Sequence, residues 1–135
     1  MSLLLEYSEQ SHRRSKGNLR FRVDQDGAMY AQRNDEDLID HHGWASDYPA
    51  APQGRLDDPE ASLATILDQH GFFEMAASYA SGQRRDGSLQ VLAWHGPRAH
   101  TVRVDRDKVP AFEQLVGHLI RELGIAALLQ GPSGT

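Results

Sequence analysis

The sequence predicts an α+β domain: an antiparallel sheet of four to five strands with two helices packed on one face. Three observations carry that expectation. Two pairs of short alternating segments are joined by turns too tight for anything but antiparallel pairing. A C-terminal segment shows a broad apolar stripe at helical spacing that needs a sheet to cover it. The chain has 135 residues, of which 39% are apolar. A single domain of that length buries roughly two thirds of its unfolded surface and needs no covalent staple.

The first strand is expected at Leu3-Leu4-Leu5-Glu6-Tyr7, an apolar run without helical spacing. Ser8 to Asn18 is polar, offers no core residue and ends in Gly17-Asn18, so it reads as a loop. In the next segment Leu19, Phe21 and Val23 alternate with Arg20, Arg22 and Asp24. A period of two places the first set on a buried face and the second in water. Asp24-Gln25-Asp26-Gly27 supplies a turn, and Ala28 to Gln32 returns as the partner strand. Both alternating sets of that return strand contain apolar residues, so its inward parity is open.

Residues 34–58 are expected as one long acidic loop covering an edge or face. From Asn34 to Glu60 there are eight acids against the single base Arg55, with Pro49, Pro52 and Pro59. Loops of this length are often functional. Asp58 is the expected cap of a helix whose first residue is Pro59, with Glu60 at the positive end of the dipole. Leu63, Ile66, Leu67 and His70 form its stripe, and Gly71 its stop. Phe72 to Met75 then plugs the region after the helix.

Ser81 to Gly87 is a second polar loop. Leu89 to Trp94 and His100 to Val104 make the second hairpin, with Val102 and Val104 on one face. Phe112, Leu115, Val116, Leu119, Ile120 and Leu123 then follow at i, i+3, i+4, i+7, i+8 and i+11, with Pro110 at the start and Gly124 at the end. Residues 1–124 are thus read as one domain and 125–135 as a C-terminal tail.

The chemistry is sparse. There is no cysteine, which excludes disulfides, thiolate metal sites and a cysteine nucleophile. Seven histidines (His12, His41, His42, His70, His95, His100 and His118) include no pair at His-x-x-x-His spacing. His95 and His100 flank a turn and could face each other, which makes two ligands and not a tight site. The carboxylate clusters Asp35-Glu36-Asp37 and Asp57-Asp58 are contiguous and set among polar residues, unlike a catalytic pair held across a cleft. No Gly-x-Ser-x-Gly elbow and no phosphate-cradling glycine loop occurs. No catalytic residue, metal site or cofactor is expected, and the chain is read as a non-enzyme.

Charge is more informative. The net charge is −5, yet residues 12–22 hold five bases and no acid, opposite in sign to the acidic stretch. An acidic domain with one interleaved aromatic, Phe21, does not fit a nucleic-acid surface. The longest apolar runs, Leu3–Leu5 and Ile125–Leu129, are far short of a bilayer span, and no secretory pattern opens the chain. A cytoplasmic protein that binds neither nucleic acid nor membrane is expected. The two oppositely charged stretches face each other or a protein partner. Trp44 and Tyr48, within the acidic stretch, either fold back over the sheet or anchor a partner. The candidate partner-binding residues are Arg13, Arg14, Lys16, Trp44, Asp47 and Tyr48.

Gly71-Phe72-Phe73-Glu74-Met75, then Tyr79, Asp86, the run His100-Thr101-Val102-Arg103-Val104, Pro110 and the final amphipathic helix together resemble the emfourin family over about residues 63–123. Two segments depart from it. The family's Ser-Gly-Gly-Phe stretch is replaced by Ser8 to Asn18, and the acidic insertion has no counterpart. The resemblance implies a small bacterial protein with a helix packed on an antiparallel sheet, and an inhibitor of thermolysin-like metalloproteases. With it the expected function is a protein-binding module, an inhibitor of a protease or an accessory subunit of a complex. The alternative is a small-molecule-binding domain with a pocket between helix and sheet.

Overall fold

The computed structural model describes residues 2–10, 18–34, 47–80 and 89–130. The strands are β1 (Leu3–Gln10), β2 (Asn18–Asp24), β3 (Ala28–Asn34), β4 (Gly54–Arg55), β5 (Ser78–Tyr79), β6 (Leu89–Trp94) and β7 (His100–Asp105). The helices are α1 (Pro59–Gln69), α2 (Pro110–Glu122) and α3 (Ile125–Gln130), with a 3-10 turn at Phe72–Glu74. One open sheet runs in the order β4-β3-β2-β1-β6-β7-β5. Its pairings are antiparallel except β5 with β7.

The α+β class is as expected, and the five longer strands fall at the five segments the sequence marks, by alternation in β2, β6 and β7 and by an apolar run in β1. The sheet has seven strands among the described residues, more than the four to five expected. The two additional strands are two residues each, and neither is long enough to show a period. β1 also reaches Gln10, three residues into what the polar composition marked as loop. Pairing with both β2 and β6 holds Ser8 and Glu9 extended although they are polar, and pairing with β6 does so for Gln10.

Register decides which side chains meet. Tyr7 lies opposite Phe21 on one side and Leu92 on the other; Phe21 lies opposite Ala31, and Leu92 opposite Val102. These residues share one sheet face, and all of them are buried. The parity of β3 is settled by this ladder: Met29 and Ala31 face inward. A register irregularity between Leu3 and Leu5 lets both Leu4 and Leu5 be buried, against strict alternation. Leu63, Ile66 and Leu67 of α1 join the same cluster, as do Phe112, Leu115, Val116 and Leu119 of α2. Burying each such side chain contributes about 1.5–3 kcal/mol. Tyr7, fully buried, keeps its hydroxyl satisfied by donating to Glu9 Oε1 at 2.7 Å and accepting from Gln90 Nε2 at 2.9 Å.

Several local expectations are corrected. Asp58 does not cap α1 with its side chain. It sits at φ 47°, and its backbone oxygen accepts from Ser62 N at 3.0 Å instead. His70 turns from the apolar stripe to meet α2, with Nε2 2.9 Å from His118 Nδ1. Residues 125–130 are a helix and not a tail: Ile125 is buried, and Leu128 and Leu129 pack against the core. Gly124 at φ 63° breaks the helical path between α2 and α3. The second half of the acidic stretch is not wholly irregular, because β4 pairs with Ala28 and Met29.

Residues 53–56 close the β3 edge. Gln53 N donates to Met29 O at 2.9 Å, and Leu56 N to Gly27 O at 2.8 Å. Gly27, at φ 92°, is required there twice over, since a Cβ would also overlap the Leu56 carbonyl oxygen. The Gln53 amide accepts from Ala31 N at 2.6 Å and donates to Leu128 O at 3.0 Å. One side chain thus satisfies a sheet edge and joins it to α3.

Gln53→Ala is therefore expected to lower stability by about 1–3 kcal/mol, because two backbone groups lose their partner. Urea unfolding would read this as a lower midpoint at unchanged slope. A second expectation concerns the junction of α1 and α2. Burial, then the neighbouring His118 and Arg121 charges, hold the His70 imidazole below its ordinary value. The unfolded chain then binds a proton more readily than the folded one as pH falls through 6.5. Stability is full above that pH and declines below it. Thermal unfolding between pH 7 and 5 should show the decline, and His118→Asn should reduce it.

Candidate functional site

The residues that alternate with the core form a second sheet face. On it stand Glu6 of β1, Arg20 and Arg22 of β2, and Tyr30 and Gln32 of β3. The ladder places Glu6 opposite Arg22, Arg22 opposite Tyr30, and Arg20 opposite Gln32. The apolar residues of the helices belong to the cluster on the other face.

Tyr48, from the acidic stretch, lies across this group. Its ring centroid is 4.1 Å from the Arg20 guanidinium carbon, 5.9 Å from that of Arg22, and 6.1 Å from the Tyr30 ring. Its hydroxyl donates to Glu6 Oε2 at 3.0 Å. Stacking of this kind contributes about 0.5–1 kcal/mol at exposed sites and more when water is excluded. Arg20 is oriented by donating from Nε to Gln32 Oε1 at 2.7 Å. Gln32 Nε2 in turn donates to the Asp47 backbone oxygen at 3.3 Å. Arg22 donates from Nε to Asp24 Oδ1 at 2.9 Å and also pairs with it through its terminal nitrogen. Asp24 is only 2% exposed, so this ion pair prevents a buried, uncompensated charge.

Arg22, Asp24, Tyr30, Tyr48, Pro49 and Ala50 line a cavity of about 350 Å³. Its walls offer guanidinium, carboxylate and phenol groups next to aromatic surface. They suit recognition of polar and aromatic groups. Among the described residues no group of three metal-ligating side chains converges.

Of the residues expected to bind a partner, Asp47 and Tyr48 lie at this face. Asp47 is exposed and takes part through its backbone, and Tyr48 is half-buried. Arg13, Arg14, Lys16 and Trp44 lie outside the described residues. The described ends of the two charged stretches do meet, through Arg20 and Arg22 against Tyr48. Arg22, Tyr30 and Glu6 were not among the expected site residues. The outward parity of β2 held the signal for Arg22, since a base at every second position marks a polar sheet face. Tyr30 carried none, because its own strand showed no clear parity.

In the β6–β7 ladder His100 lies opposite Trp94. His95 is exposed with its backbone N–H on Leu4 O, while His100 Nε2 is 2.9 Å from Met75 O. Asp57 and Asp58 are both exposed at the start of α1. A second cavity, about 440 Å³, lies between α1 on one side and Phe73, Trp94, Pro97 and Arg98 on the other. No helix among the described residues is long and apolar enough to cross a membrane. No protein-family model matches the chain, and a search of the curated proteins found no match.

Burial and then the Glu6 carboxylate push the Tyr48 hydroxyl well above its ordinary value of 10.0. Above pH 10 the unfolded chain releases this proton and the folded chain keeps it, so stability present below pH 10 is lost as pH rises. Absorbance titration should show fewer tyrosines ionising near pH 10 in the folded than in the unfolded chain. Tyr48→Phe should remove its share of the alkaline destabilisation.

Proposed function

We propose that this chain is a non-enzymatic protein-binding module, acting as an inhibitor of a protease or an accessory subunit of a bacterial complex. The observation that supports it is Tyr48 laid over Arg20, Arg22 and Tyr30 on the sheet face away from the helix cluster. Arginine and tyrosine are the residue types that dominate protein interfaces, because each offers apolar area together with hydrogen bonding at little entropic cost. Here both types are pre-ordered, Arg20 by Gln32 and Tyr48 by Glu6, so a partner does not have to order them. The emfourin-like run from residue 63 to 123 supports the inhibitor branch of this reading.

The test has two arms. Tagged wild-type chain is used to isolate a partner from native lysate, and its affinity is compared with that of Tyr30→Ala and Tyr48→Ala. Each variant should bind about tenfold or more weakly, whereas Glu122→Ala on α2 should bind as wild type. In the second arm a thermolysin-like metalloprotease is assayed with and without the chain. The inhibitor branch expects slower peptide hydrolysis, relieved by the same tyrosine variants. Undiminished partner binding by both tyrosine variants would overturn the assignment of this face.

A further inference from the structure

The second cavity is a groove on the helix side of the molecule, separate from the Arg–Tyr face. One wall is the outer strip of α1: Glu60, Ala61, Ala64, Thr65, Asp68 and Gln69. The other wall is Phe73 with the β6–β7 turn, where Trp94, Pro97 and Arg98 contribute. The small side chains Ala61 and Ala64 keep the helix wall low, which leaves space beside the aromatic wall. That wall is built with care. Trp94 Nε1 donates to Pro97 O at 2.8 Å, which ties the ring to the turn. Gly96 lets the turn lie against the ring, since a Cβ there would collide with the indole.

Both ends of the groove carry carboxylates. Glu60 stands at one end, and no described residue pairs with it. Asp68 and Glu74 stand at the other, two-thirds exposed, with Arg98 between them at 3.9 and 3.2 Å. The Arg98 guanidinium also lies 4.2 Å from the Phe73 ring centroid. Arg98 holds a left-handed backbone at φ 62°, a conformation that costs a non-glycine residue energy. Exposed pairs at these distances contribute little stability, so they do not offset that cost by themselves. They do show how a cation is received at this end: over an aromatic ring, between two carboxylates.

We propose that this groove binds an extended segment of a partner protein with the pattern base–x–apolar–x–base. The apolar side chain would enter between Ala61, Ala64 and the Phe73–Trp94 wall. Glu60 and Asp68 are eight residues apart on α1, which is about 12 Å along the axis. Two bases four residues apart on an extended strand span about 13 Å and reach both ends at once. Among the lining residues the carboxylates of Glu60 and Asp68 outnumber the one arginine, Arg98, so the groove favours a cationic occupant over an anionic one. This inference does not depend on the open sheet face; the two surfaces together would let one chain bridge two partners.

A synthetic peptide with two lysines four residues apart around a central leucine tests it, titrated against the ¹⁵N-labelled chain. The Trp94 indole N–H signal and the α1 amides should shift with the lysine–leucine peptide. A control with glutamates for lysines, and one with serine for leucine, should each bind about fivefold or more weakly. Ala61→Trp, an exposed position, should fill the groove and abolish the shifts while circular dichroism remains that of wild type. Glu60→Lys should weaken the lysine peptide and the serine control alike, and should not weaken the glutamate control's residual binding. Equal affinity for the lysine and glutamate peptides, or unchanged binding by Ala61→Trp, would overturn the proposal. Neither result bears on the tyrosine variants of the open face.

Discussion

A period of two across β1 and β2 separates the core of this protein from its surface chemistry. Leu19, Phe21 and Val23 face the helices because Arg20 and Arg22 face away from them, and the register to β1 keeps Phe21 against Tyr7. A slip of one residue would bury two guanidinium groups and expose three large apolar side chains. Burying unpaired charges costs several kcal/mol each, and losing three buried side chains costs about as much again. The same alternation that forms the core therefore also delivers Arg20, Arg22 and Glu6 to one face as neighbours. Core and candidate site are two readings of one constraint.

The rest of the architecture extends from that register. Central β1 pairs on both sides, so its polar end stays extended, and the second hairpin continues the sheet through β6 and β7. Helices α1 and α2 cover the apolar face with their stripes. The edge beyond β3 is closed by the chain itself, with Gln53 standing between Ala31 and Leu128. An edge strand left with unpaired amides invites pairing with other chains. The second half of the acidic stretch removes part of that hazard, and Tyr48 in the same stretch lies over the open face. A single excursion thus serves stability and the candidate interface.

Charge behaves less simply than composition suggests. The basic and acidic stretches meet at their described ends, but the contact is a stack of guanidinium on a phenol ring. Tyr48 is more useful there than another aspartate. Its ring accepts Arg20 from one side and leaves the Glu6 carboxylate to take its hydroxyl proton in a hydrogen bond. The groove along α1 uses the same pairing of a cation with a ring and carboxylates, in Arg98, Phe73 and Asp68. Both surfaces combine aromatic area with charge, and they lie on different sides of the sheet.

The sequence by itself determined the elements whose residues repeat. The alternation in β2, β6 and β7 and the three-turn stripe of α2 are legible because burial imposes a period on side chains that neighbours in the chain share. It also determined the absence of cysteine chemistry. Only the tertiary structure decided what depends on residues far apart in sequence. β4 and β5 are two residues long and exist because β3 and β7 offer them partners. Ile125 to Gln130 becomes a helix because Leu128 and Leu129 find the core and Gln53 binds the Leu128 carbonyl. Asp58 stands at the N-cap of α1 as expected, but with a left-handed backbone and no side-chain capping hydrogen bond. The candidate site itself was half legible: Tyr48 and Asp47 stood out in an acidic stretch, while Tyr30 and Glu6 join them only through strand pairing, which no local pattern records.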